Sequence, residues 1–478
     1  MKRISLAPPL AALAAALALA GCASTGGIEP QATLRSAGSV GLPAAGESFP
    51  GSDQWWREFG DGQLDALVAQ ALEGNPSLKL AQARLARAQS LTEAAAAARL
   101  PQVNGSLDLT RQRYTEHGAV PPPLGGSVRE SGTLQLSASW ELDYFGKNEA
   151  ALQAALGGAR AAQADEQAAR ILLASNVARA YLQLARANDQ LAVAQRTLAQ
   201  REEALQLVGD RVRAGLDTNL ELRQAEGALP EARQQMEAVR EQAALAQHAL
   251  AALTGAGHRD VVQRQPSLAA LQAAPVPTQL PADLLGRRAD IVAARWRVEA
   301  AGQDLRSAKA QFYPNVNIAA LAGLSSIGLG RLLDIGSGQW AFGPAVRLPI
   351  FDAGRLRASL RGRTADLDAA VESYNAAVLE AIRDTADQVA SAQSVARQQT
   401  EQRQAQAAAE AAYELARQRY QAGLGSYLHV LTAETAVLNQ RRLGVELAAR
   451  ALDTRVALMR ALGGGAAPQS VAAASAGK

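Results

Sequence analysis

The hydrophobic pattern of this chain alternates between a helical period and a two-residue period, and does so twice. From about Lys147 to Arg213 there is no proline, and glycine occurs only as Gly157, Gly158 and Gly209. Val177, Leu184, Leu191, Leu198, Leu205 and Val212 keep a strict seven-residue spacing, which predicts coiled-coil packing rather than a globular amphipathic helix. At 1.5 Å per residue such a segment extends roughly 100 Å. Residues 354–421 are again free of proline, with Leu360, Leu367 and Tyr374, then Val371 and Val378, at seven-residue steps.

Ahead of each long segment the period drops to two. Val103, Leu107 and Leu109 alternate with Asn104, Ser106, Asp108 and Thr110. Leu134, Leu136, Ala138, Trp140, Leu142 and Tyr144 alternate with Gln135, Ser137, Ser139, Glu141 and Asp143. The later pair runs through Val316, Ile318, Ala320, Ala322 and Leu324, and through Trp340, Phe342, Val346, Leu348 and Ile350. These read as strands with one apolar and one polar face, with aromatic residues gathered near their ends. A soluble half-buried sheet fits this pattern, and so does part of an outer-membrane barrel. Four strands cannot close such a barrel, so the second reading needs several chains, and three would give twelve strands.

The long helices turn at a repeated stretch. Arg211-Val-Arg-Ala-Gly-Leu-Asp217 returns as Arg419-Tyr-Gln-Ala-Gly-Leu-Gly425, and matching Leu, Ala-Glu and Ala positions follow in both copies. Glycine just past a helix end can take the left-handed conformation that closes it. Asp217 and Thr218 in the first copy, and Ser426 in the second, are expected to supply N-cap oxygens for the returning helix. Pro230 is expected to kink or break the first return helix. A repeat of this length points to internal duplication.

Composition narrows the function. Aromatics make up 4% of the chain and the net charge is +3, with acids and bases interspersed. Clustered positive charge, which nucleic-acid binding requires, is missing from the sequence. The histidines, His117, His248, His258 and His429, lack metal-ligand spacing. No phosphate loop, nucleophile elbow or acidic metal cluster occurs, so neither catalysis nor a cofactor is expected. The single cysteine, Cys22, follows Lys2-Arg3, a short apolar run and Leu19-Ala20-Gly21. That layout reads as a secretory signal, and the apolar run is too short to span a bilayer. Leu-Ala-Gly-Cys resembles a bacterial lipoprotein signal, with Cys22 acylated as the first mature residue. Ala23 rather than Asp after it favours the outer membrane.

The expected organisation is a signal peptide at 1–21 and a lipidated tether without a core at 22–54. A first repeat follows at 55–262, with strands near 101–115 and 131–145 and a long hairpin at 147–254. A second repeat occupies 263–462, with strands near 314–325 and 338–351 and a hairpin at 354–462. A disordered tail is expected at 463–478.

The Cys22 signal, Leu280-Pro-Ala-Asp-Leu-Leu-Gly-Arg-Arg-Ala-Asp290, Ala308-Lys-Ala-Gln-Phe-Tyr-Pro-Asn-Val-Asn317, Pro349-Ile-Phe-Asp-Ala-Gly-Arg355 and both Ala-Gly-Leu turns carry a resemblance. The chain resembles TolC-type outer-membrane efflux proteins, in the lipoprotein branch similar to NodT and OprM. The resemblance implies a mainly α fold with a membrane β part. Long coiled-coil hairpins would form a trimeric α-barrel, and four strands per chain would contribute to a twelve-stranded β-barrel. It implies a homotrimer in outer-membrane lipid, joined by a periplasmic adaptor to an inner-membrane transporter of the RND type. The role implied is a passive exit duct for small toxic compounds. The alternatives are an exit channel for protein secretion of type I, and a lipid-anchored coiled-coil scaffold without a pore. The lipid anchor and connector motif favour small-molecule efflux, and the amphipathic strands argue against a scaffold.

By residue match, Ala214, Gly215, Leu216, Ala422, Gly423 and Leu424 would be adaptor-contact tips. The periplasmic gate would involve Glu221, Arg419, Tyr420, His429 and Thr432. Relatives carry acids where His429 and Thr432 stand, so Glu221 is expected to supply the negative charge, near His429.

Overall fold

The computed structural model describes residues 24–36, 39, 52–257, 262, 265–272 and 284–464. Cys22 and the signal before it lie outside the described residues, as do much of the 255–285 connector and everything after Gly464. The chain divides into two compact units.

The first unit holds Arg84–Ala162 and Ala294–Tyr374, with the described residues up to Leu34. Its centre is a four-stranded antiparallel sheet of β1 (Gln102–Arg113), β2 (Val128–Leu142), β3 (Asn315–Ile327) and β4 (Gly338–Arg347), in the order β1-β2-β3-β4. Leu107 pairs with Leu134, Leu134 with Leu324, Trp140 with Ile318, and Ala320 with Phe342. The register therefore collects most of the large apolar positions on one face, because side chains alternate along a strand, while Leu321 and Ile327 fall on the other face beside Ser137 and Ser131. The apolar face is uncovered: Trp340 is 82% exposed and Phe342 70% exposed. The opposite face carries Asn104, Ser106, Gln135, Ser137, Asn317 and Gln339. Edge strands β1 and β4 keep one side without a strand neighbour in the single chain.

The N-terminal residues of this unit depart from the tether expected at 22–54. Ile28 is buried with Leu305, Phe312, Leu356 and Leu360. The Asp368 carboxylate accepts from the backbone N–H groups of Gln31 and Ala32, both at 2.9 Å. Arg357 donates to the carbonyls of Ser24 and Gly26. One isoleucine and borrowed side-chain partners are enough to seat an extended strap whose Gly/Ser/Pro composition alone reads as unstructured.

The second unit holds the described parts of Arg35–Ala83, Gln163–Ala293 and Asn375–Lys478. A short 3-10 turn at Trp55–Phe59 leads into α1 (Gly62–Gly74), which Asp61 caps by accepting from Gln63 and Leu64 N–H. Helix α2 (Pro76–Ala97) follows. Then come α3 (Lys147–Arg213) and α4 (Asn219–Thr254), then α5 (Ala289–Ala310), and after the second strand pair α6 (Arg355–Gln421) and α7 (Tyr427–Ala461). Several of these helices run from one unit into the other.

The core of the second unit is aromatic at one point and aliphatic elsewhere. Trp55 meets Trp56 and Phe59 edge to face, with ring centroids 5.9 and 6.3 Å apart. These rings pack with Leu64, Val68, Val177, Tyr181, Leu184, Leu250, Val456 and Met459. Full burial of each large apolar side chain contributes roughly 1.5–3 kcal/mol. The Tyr181 hydroxyl donates to Asp61 at 2.7 Å, which ties the α1 cap to α3.

The heptad stripe is only partly covered. Val177 and Leu184 are fully buried, whereas Leu191, Leu198, Leu205 and Val212 are half-buried in the single chain. Pro230 neither breaks nor ends α4, which runs through it. Its exposed position leaves water to satisfy the carbonyl that loses its helical partner. Of the tail expected at 463–478, only its first two residues lie within the described residues. Gly463 and Gly464 close α7, donating to Arg460 O at 3.1 Å and Met459 O at 2.8 Å.

Candidate functional site at the helix tips

Both expected tips are glycine-closed helix ends. Gly215 and Gly423 each have φ of 74°. Gly215 N–H donates to Val212 O at 3.0 Å and Leu216 N–H to Arg211 O at 2.9 Å. The second tip repeats this, with Gly423 to Tyr420 O at 3.0 Å and Leu424 to Arg419 O at 2.8 Å. A Cβ built on either glycine would meet nothing within 4 Å, so the left-handed backbone requires glycine and crowding does not. Ala214, Gly215, Leu216, Ala422, Gly423 and Leu424 are all exposed, and Leu424 is 71% accessible.

The two returning helices start differently. Thr218 caps α4 and forms a capping box with Glu221: Leu220 N–H donates to Thr218 Oγ1 at 3.2 Å, and Thr218 N–H donates to Glu221 Oε2 at 3.0 Å. The Thr218 hydroxyl bonds the same carboxylate and holds the Glu221 carboxyl below its usual range. Glu221 is thus taken up by its own helix start. Ser426 precedes α7 but makes no capping bond, and its Oγ lies 3.4 Å from His429 Nδ1. Thr432 turns its hydroxyl back onto Leu428 O at 2.9 Å. Arg419 reaches Leu424 O at 3.4 Å.

Asp217 is not an N-cap. It sits between the two hairpins. Arg211 Nε donates to Asp217 Oδ2 at 2.9 Å, and the Tyr420 hydroxyl donates to the same oxygen. The Arg211 guanidinium also stands 4.6 Å from the centre of the Tyr420 ring, within cation–π range. Tyr420 is 2% exposed and lies 5.6 Å from the Tyr427 ring. Val208, Ala225 and Val430 complete the apolar cluster around them. Burial pushes the Asp217 carboxyl up, but the hydrogen bonds from Arg211 and Tyr420 outweigh it and hold the group below its ordinary value.

Of the expected gate residues, then, Tyr420 alone enters the link between hairpins. Arg211 and Asp217, which complete that link, were not among the expected site residues. The signal lay in the differences between the two copies: Asp217 stands where the second copy has Gly425, and Tyr420 where the first has Val212. Higher up, Arg201 of α3 makes a second tie. It donates to Ala228 O at 2.8 Å, pairs with Glu231 of α4 at 3.1 Å, and lies 3.5 Å from Glu434 of α7. Glu434 is 7% exposed, and burial raises its carboxyl above the usual range despite Arg201. No cluster of metal-ligating groups occurs among the described residues.

Such an arrangement ties the two helical hairpins together near their tips. Relatives with the same architecture are known. The chain is 39% identical over 366 residues to the fusaric acid resistance protein FusA of Burkholderia cepacia, covering 73% of this chain and 68% of that one. It is 32% identical over 481 residues to the putative multidrug resistance outer membrane protein MdtQ of Escherichia coli, covering 97% and 99%. Among solved structures, the outer membrane protein VceC of Vibrio cholerae superposes with a TM-score of 0.81 at 36% identity, covering 86% of this chain and 99% of that one. The outer-membrane channel OprN gives 0.80 at 28% identity, covering 92% and 98%. The family profile described as outer membrane efflux protein matches residues 67–256 and 280–464, and this chain belongs to that family.

Proposed function

We propose that the chain is the outer-membrane exit duct of a tripartite efflux system, passing small toxic compounds from the periplasm to the outside. The observation that carries this is the sheet: an exposed apolar face, a polar face and two unpaired edges in one chain. Such a sheet is stable in lipid only when neighbours close it into a barrel. A homotrimer with twelve strands meets that need, and the half-buried heptad positions of α3 supply further surface for association. Relatives bearing the words fusaric acid resistance and multidrug resistance support small-molecule cargo over secreted protein. Acylation of Cys22 would anchor the chain, and the seated strap after it would hold the anchor close to residues 356–368.

In this reading the Asp217–Arg211–Tyr420 link is the latch that keeps the tips closed. The exposed Ala214-Gly215-Leu216 and Ala422-Gly423-Leu424 turns are where a periplasmic adaptor docks, and an inner-membrane transporter, of the RND type, supplies the energy. Glu221, Arg419, His429 and Thr432 shape the two tips. The duct is tested in a strain lacking its own outer-membrane efflux channel. Supplying this chain with a compatible adaptor and transporter should restore resistance to a dye or drug. Failure of correctly assembled trimers to restore it, with every plausible partner pair, would sink the reading.

A further inference from the structure

The polar face of the sheet ends in an open recess of about 360 Å³ that conduction alone leaves without a role. Phe145 and Tyr313 form part of its wall, stacked with ring centroids 4.8 Å apart and planes 12° from parallel. Both rings remain about half exposed, so their outer edges and faces stay available. Arg347 and Arg355 line the same recess. Neither forms an ion pair or a side-chain hydrogen bond among the described residues.

The acids nearby are already engaged. Glu141 pairs with Lys147 at 2.5 Å, and Asp143 accepts the backbone N–H of Glu149 at 2.7 Å. Asp143 keeps its charge, so the lining carries three cations, Lys147, Arg347 and Arg355, against two carboxylates, and the guanidinium groups supply the excess positive charge. A guanidinium binds a carboxylate through parallel hydrogen bonds, and an aromatic wall favours a flat ring beside it.

We propose that this recess is a binding step for planar aromatic carboxylates, with the ring against Phe145 and Tyr313 and the carboxylate accepting from Arg347 and Arg355. A lipid headgroup fits less well. Arg347 lies opposite Asn315 on the face that carries Glu141 and Asn317, away from the Trp340 and Phe342 side that would meet lipid. An inorganic anion would use the arginines but leave the aromatic pair without a function. Placing the site inside a lumen rests on the duct reading, whereas the recognition chemistry does not.

The test is calorimetric titration of the full-length trimer in phosphatidylcholine nanodiscs with 1-naphthoate, with the neutral 1-naphthamide and with inorganic phosphate. The acid should bind, and the amide should bind roughly tenfold more weakly or worse. Arg347→Gln and Arg355→Gln should each weaken the acid by about tenfold. Phe145→Leu should weaken acid and amide alike, and millimolar phosphate should leave the acid bound. All three positions are exposed in the single chain, and retention of the trimer on gels checks each variant's fold and assembly. Equal binding of acid and amide, unchanged binding by both arginine variants, or displacement by phosphate would overturn the proposal. Channel conductance, measured separately on the wild type, reports on the duct: binding without conductance would remove the duct and leave the recognition site standing.

Discussion

Tyr420 donates its hydroxyl to the Asp217 carboxylate although 203 positions separate them in the chain. With Arg211 bound to the same carboxylate and stacked over the Tyr420 ring, one acid joins the end of α3, the turn after it and the end of α6. A hydrogen bond to a charged acceptor contributes about 1.5–3 kcal/mol. Tyr420→Phe removes that bond but keeps the buried ring. The tip should open more readily, seen as higher sensitivity of cells to large antibiotics, with trimer yield unchanged. A variant as tight as the wild type would show that the latch lies elsewhere.

The latch should also respond to acid. Asp217 has its carboxyl held below the ordinary value of 3.8 by Arg211 and Tyr420, against the opposing effect of burial. The stability it contributes is therefore present above pH 3.8 and is lost as pH falls through the lowered folded value. Channel opening should be flat with pH from neutral down to that range and then rise. Asp217→Asn should be open at every pH. Acid opening that persists in Asp217→Asn would assign the effect to another group.

Arg201 and Glu434 give the opposite sign. Burial raises the Glu434 carboxyl above 4.5 even with Arg201 beside it. The stability linked to that group is present below the unfolded value and is lost as pH rises through the raised one. Arg201→Leu leaves an ionised Glu434 without its partner, a change that typically costs about 3–5 kcal/mol. Thermal unfolding should therefore show a larger loss at pH 8 than at acid pH, because a raised carboxyl takes up its proton earlier than a free one as pH falls. An equal loss at both values would mean that Arg201 acts through Glu231 and Ala228 O alone.

At the tips, Gly423→Arg combines backbone strain with a bulky charge on the exposed turn. A non-glycine residue at φ of 74° costs roughly 1–2 kcal/mol, too little to unfold a trimer. Export should nonetheless fall to background while trimers stay in the membrane. Gly215→Arg should behave in the same way. Normal export from both would remove the docking role of the turns.

The strap can be probed without touching the duct. Ile28→Ala empties a site among Leu305, Phe312 and Leu356, and such truncations cost about 2–5 kcal/mol in a closed core, less for an extended segment. Limited proteolysis should cut variant chains within residues 24–36 sooner than wild type. Equal cutting rates would mean that Asp368 and Arg357 alone hold the strap.

Local patterns carried much of this into the sequence. The alternation through Leu107, Trp140 and Phe342 and the turns at Gly215 and Gly423 depend on near neighbours, so they could be read directly. Glu221 was legible as a cap as well: Thr218-Asn-Leu-Glu221 is a capping-box spacing, and the structure forms that box. Asp217 resembles a cap because it is a short acid beside a helix start, and only tertiary structure brings Arg211 and Tyr420 to it. Ile28 was hidden by the small and polar residues around it, since its partners Phe312 and Leu360 lie some three hundred positions away.

The most direct measurement is single-channel recording of the purified trimer in planar bilayers, wild type beside Tyr420→Phe and Asp217→Asn. A duct closed by this latch gives small, stable wild-type openings and a clear stepwise rise in conductance for both variants. Trimers that insert but never conduct, or variants that conduct no better than wild type, would contradict it.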